Sequence, residues 1–88
     1  MTKKDLEILK KRFGEKILNI RTAKGLSLRE LASQCTLDNS KISKIEKGRI
    51  NVSLATLIEL ARGLGIPPQE LLDGDYDRLP QPITNTTK

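Results

Sequence analysis

Five polar side chains within one short span, Asn39, Ser40, Lys41, Ser43 and Lys44, are the residues of this chain best suited to reading a nucleic acid. Asn carries a donor and an acceptor and pairs bidentately with adenine N6 and N7. Lys reaches guanine O6 and N7 or a phosphate, and Ser serves several base edges. The same residues would also make the solvated face of an ordinary helix. Their spacing is what favours contact: Ile42 and Ile45 form an apolar stripe, the five polar residues fall off it, and Lys44 stands one turn beyond Ser40.

The elements that must position them are legible in residues 27 to 49, SLRELASQCTLDNSKISKIEKGR. Leu28, Leu31 and Ala32 recur at i, i+3, i+4, and Leu37, Ile42 and Ile45 continue the stripe after a break at residues 35 to 38. Ala32 is small enough to let two helices cross closely. Two short helices joined by a tight turn, the second polar and basic on its outer side, is the layout of a helix-turn-helix whose second helix enters the DNA major groove. Ser27 stands at the start of the first of these helices, where backbone N–H groups and the helix dipole favour an anion. Arg49 and Asn51 follow the second on a loop suited to run along the DNA backbone. These three are the phosphate-contact candidates; Arg29 could also reach a phosphate, with simple exposure an equal reading.

Helix-end signals frame the rest. Lys24-Gly25 closes the first helix, and Ser27 with Glu30 makes a capping box for the second. Asp38 caps the third, which ends at Lys47-Gly48. The fourth starts at Ser53, runs through Leu54, Leu57, Ile58, Leu60, Ala61 and Leu64, and stops at Gly65. Ile66-Pro67-Pro68 leads into a last short helix over residues 69 to 72. Leu6, Leu9, Phe13, Ile17 and Ile20 form one stripe, so residues 1 to 12 read as a helical extension or a basic arm, with Gly14 as a kink or boundary. Residues 73 to 88 carry Gly, two prolines and polar residues without periodicity, and read as a flexible tail.

Eighty-eight residues bound the chain to one small domain. The net charge is +5; residues 1 to 72 hold 14 Lys and Arg against 8 Asp and Glu, or +6, and the tail holds 2 against 3, or −1, so the basic excess belongs to the folded part. A basic domain fits a polyanionic partner. With one Cys and no His, neither a disulfide within the chain nor a metal site built on His or several Cys is available. Cys35 reads as a small structural thiol. There is no nucleophile with a base and no Gly-rich phosphate loop, so the chain reads as a non-enzyme without a cofactor. No apolar run has the length of a membrane span, and a cytoplasmic location without a membrane partner is expected.

Residues 17 to 72 resemble the Xre/Cro-like, phage-repressor type of helix-turn-helix domain. The matching residues include Ile17, Ile20, Arg21, Lys24, Gly25, Leu26, Ser27, Glu30, Leu31, Ala32, Leu37, Ile42, Ser43, Ile45, Glu46, Gly48, Leu57, Leu60, Ala61, Leu64, Leu71 and Leu72. The resemblance implies an all-α, five-helix bundle of the lambda-repressor-like kind, with residues 13 to 72 as the DNA-binding domain. It implies an ion pair between Arg21 and Glu46 that braces the first helix against the third. It also implies a dimeric repressor on double-stranded DNA, pairing through the C-terminal end, where Leu71, Leu72, Tyr76 and Leu79 offer apolar surface. Two positions depart from the family. Leu28 stands where Gln often touches the DNA backbone, and Thr36 where the turn often has Gly. An alternative reading is an antitoxin, with residues 73 to 88 as the segment that binds a toxin protein. A second alternative is an interaction adaptor that has lost DNA binding.

Overall fold

The computed structural model describes residues 1–74 and 76; within them the chain is all-α. Its helices are α1 (Lys3–Ala23), α2 (Leu28–Ser33), α3 (Asn39–Glu46) and α4 (Leu54–Leu64), followed by a 3-10 helix over Pro68–Leu72. The expected five-helix, lambda-repressor-like bundle is therefore corrected to four α-helices and one 3-10 turn. The reason is local. Pro67 and Pro68 supply no N–H, and Asp73 returns to extended backbone at φ −79°, ψ 141°, leaving five residues, little more than one turn. The closure is the short-range bond from the Glu70 N–H to the Pro67 carbonyl, 3.0 Å.

Side-chain caps start every α-helix. Thr2 and Asp5 form a reciprocal box at α1, as Ser27 and Glu30 do at α2, while Asp38 accepts from the Lys41 N–H and Ser53 from the Thr56 N–H. Each satisfies a backbone donor that the helix itself leaves orphaned. The α1 box was not anticipated, although Thr-x-x-Asp is its visible signal.

The core is aliphatic with one aromatic ring: Phe13 and Ile17 of α1, Leu31 of α2, Ile42 and Ile45 of α3, Leu57, Leu60, Ala61 and Leu64 of α4, and Leu71. Leu28, Ala32, Cys35 and Leu37 pack against it from the turn region, which gives Leu28 a packing role at the position where the family often has Gln. The turn bearing Thr36 uses no left-handed backbone, since no described non-Gly residue has positive φ. Instead the Thr36 N–H donates to the Glu59 carboxylate of α4 at 3.0 Å, which lowers the pKa of that carboxyl.

Helix α1 is continuous through Gly14, so the glycine does not end the helix. A Cβ at Gly14 would lie 2.7 Å from the Glu46 carbonyl oxygen and closer still to that of Ile45. The glycine is there because the end of α3 rests directly on the α1 backbone. Leu79 and most of the expected tail lie outside the described residues.

Candidate nucleic-acid interface

Helix α3 buries Ile42 and Ile45 and turns its opposite side outward. Asn39, Ser40 and Lys44 are exposed, and Ser43 is half-buried. Lys41 differs from the other candidates. It is half-buried, and its Nζ lies 3.5 Å from Thr56 Oγ1 at the start of α4, so it leans away from the outward strip. Lys47, which the sequence reading left out, completes that strip: it is exposed and stands one turn beyond Ser43 and Lys44. Helical spacing from Ser40 was the signal that could have found it. The outward side thus presents an amide, two hydroxyls and two ammonium groups, all chemistry suited to base edges and phosphates.

Ser27, Arg49 and Asn51 are all exposed. Ser27 Oγ accepts from the Glu30 N–H at 3.0 Å, while Glu30 accepts from the Ser27 N–H at 2.8 Å. The backbone bond to Ser27, and then its hydroxyl, lower the Glu30 pKa. Capping is therefore occupied work for Ser27 in the free protein. Arg49 and Asn51 sit on the loop after Gly48. At this corner the Gly48 N–H donates to the Ile45 carbonyl and the Arg49 N–H to the Lys44 carbonyl, both at 3.0 Å, with Gly48 at φ +74°. Only glycine adopts that left-handed conformation freely, and it is what turns Arg49 off the helix axis.

Arg21 and Glu46 lock α1 to α3. Arg21 Nε donates to Glu46 Oε2 at 2.7 Å, Nη2 to Oε1 at 3.1 Å, and Nη1 to the Leu26 carbonyl at 2.8 Å. The side chains are 11% and 8% exposed, so the pair is shielded from water. The Glu46 hydrogen bond raises the Arg21 pKa above its ordinary value, outweighing the lowering by burial. The geometry is the two-pronged kind that fixes orientation as well as charge.

A short helix pair with a polar, basic second helix braced from behind by an ion pair defines a helix-turn-helix module. Residues 17–71 match the helix-turn-helix family, and the chain belongs to that family. It is 42% identical over 62 residues to control protein C.BamHI of Bacillus amyloliquefaciens, covering 69% of this chain and 76% of that protein. It is 44% identical over 64 residues to control protein C.MunI of a Mycoplasma species, covering 72% of this chain and 86% of that protein. Among solved structures it is similar to the restriction-modification controller protein C.AhdI from Aeromonas hydrophila. The TM-score is 0.67 at 44% identity, over 69% of this chain and 92% of that one.

Among the described residues no helix is long and apolar enough to cross a membrane, and no cluster of His, Cys, Asp or Glu could hold a metal ion.

Proposed function

We propose that this chain works as a dimeric controller of transcription in which α3 reads base edges and the surrounding cations fix its position on the backbone. The chain is a sequence-specific DNA-binding transcriptional regulator, not an enzyme. The observation that supports the residue assignment best is the outward strip of α3, held against α1 through Gly14 and the Arg21–Glu46 pair. Asn39, Ser40, Ser43 and Lys44 are the base-contact residues in this reading, with Lys41 a marginal member because it leans towards Thr56. Ser27, Arg49 and Asn51 hold phosphates, which orient the module but carry no sequence information. Similarity to two control proteins and to a restriction-modification controller supports a finer reading, in which the genes under control belong to a restriction-modification system. The toxin-partner alternative gains no support, and most of its candidate segment, residues 73 to 88, lies outside the described residues.

Selection of bound sequences from a random duplex pool tests the reading. A two-fold-symmetric consensus should emerge, and in the source genome it should lie ahead of restriction or methyltransferase genes. Lys44→Ala and Arg49→Ala then separate the roles, since both remove one positive charge. Lys44→Ala should cost about 1–3 kcal/mol on the selected site and relax choice at one position, whereas Arg49→Ala should weaken selected and scrambled duplexes alike. Equal losses for both variants on both duplexes would remove Lys44 from the base-reading set.

A further inference from the structure

Gly48 is packed from outside by α1. A Cβ on Gly48 would stand 2.8 Å from Lys11 Cγ, 3.0 Å from Lys11 Cα and 3.2 Å from its N. Lys11 therefore lies on the corner where α3 ends, its stem held against Gly48 while the residue as a whole remains exposed. Lys47 and Arg49 flank that glycine in sequence, and both are exposed. Three cationic residues thus neighbour one glycine, Lys11 by packing and Lys47 and Arg49 by chain sequence. The one carboxylate of α3, Glu46, is engaged by Arg21. Glu7 and Glu15 stand one turn before and one turn after Lys11 on α1, and among the described residues neither forms an ion pair with Lys11, Lys47 or Arg49. Lys11 also precedes residues 17–71, the span that matches the helix-turn-helix family.

We propose that Lys11 and Lys47 form a further phosphate-binding pair at the C-terminal end of α3, through which the front of α1 grips the DNA backbone beside the bases that α3 reads. This rests on the DNA-binding reading above and extends it to a segment outside the family match. A phosphate is attracted by each of these exposed cations, and it meets no carboxylate of α3 here, since Glu46 is held by Arg21. Lys4 lies two turns ahead of Lys11 on the same face of α1 and continues the track outward. The competing account is that Lys11 serves only the carbonyl end of α3, whose partial negative charge favours a nearby cation.

The test uses the full chain, the selected duplex and a scrambled one, with affinity measured across a salt series. Lys11→Gln keeps the Cγ that packs on Gly48 and removes only the charge; Lys47→Gln is its partner, Lys11→Arg retains the charge, and Arg62→Gln on α4 is the control. Each Gln variant at the pair should lower the log–log salt slope by about 0.9 and weaken both duplexes by a similar factor, with the double variant close to twice that. Lys11→Arg and Arg62→Gln should keep the slope of the unaltered protein. A Lys11→Gln slope equal to that of the unaltered protein overturns the proposal, and a lowered thermal midpoint beside it assigns Lys11 to the helix end. Failure of the unaltered protein to bind either duplex would overturn the regulator reading itself, before any substitution is compared.

Discussion

Removing the Glu46 carboxylate exposes how much of the reading surface depends on one side chain. Arg21 has three hydrogen bonds in a shielded site, two of them to Glu46. A buried pair is weak as a net source of stability, because desolvation offsets the attraction, but breaking it strands a charge. Glu46→Ala should therefore destabilise by about 1–3 kcal/mol, a sizeable share of the roughly 5–15 kcal/mol that holds a small domain together. Replacing both partners, Arg21→Met with Glu46→Leu, should recover most of that loss while loosening the angle between α1 and α3. Urea unfolding of the two variants checks the stability arm, and affinity for the selected duplex checks the angle. If the double replacement is as unstable as Glu46→Ala, stranded charge is not the cause.

Gly14 decides a contest between helix propensity and helix packing. In an isolated helix, Gly→Ala would stabilise by about 1 kcal/mol. Here the added methyl would meet the carbonyl oxygens of Ile45 and Glu46, which are backbone and cannot rotate away. Overpacking of this kind typically costs about 1–3 kcal/mol, so steric cost should win and Gly14→Ala should lower the thermal midpoint. A raised midpoint would mean that α1 and α3 separate freely, and the orientation argument for α3 would fail with it. Gly14 also marks the limit of what the sequence makes legible. Caps at Ser27, Asp38 and Ser53 are visible because their partners lie three residues away. The stripe through Phe13, Ile17, Ile42 and Ile45 is visible because burial follows the helical period. Gly14 reads as a kink, and the Lys11–Gly48 approach and the Thr36–Glu59 bond leave no local trace, because their partners are far along the chain. The fifth helix was over-read for the opposite reason: prolines and apolar residues announce a helix start, but not how soon Asp73 ends it.

At the scale of the molecule, one module presents too little contact for tight and selective binding, so a two-fold assembly spanning two half-sites is the natural functional unit. Leu71, counted in the sequence as possible interface, is fully buried, and Tyr76 packs on the core with its buried hydroxyl lacking a partner among the described residues. What remains exposed of that set is Leu72 at 53%, and two apolar residues of α4 are exposed as well, Leu54 at 77% and Ile58 at 39%. Leu54 and Ile58 are one turn apart and share a face of α4, and the 3-10 helix bearing Leu72 follows α4 directly. We propose this apolar surface as the self-association face. Ile58→Glu should leave helix content unchanged, since the side chain stands outside the core, yet shift sedimentation from dimer to monomer. The thermal midpoint of the unaltered protein should rise with protein concentration, because association draws on the folded state alone, and that dependence should vanish in the variant. Affinity for a duplex with both half-sites should fall towards that for a single half-site. A protein that sediments as monomer throughout the micromolar range, with and without the two-half-site duplex, would leave Leu54, Ile58 and Leu72 as isolated exposed residues and would require a lone module to account for all the selectivity measured.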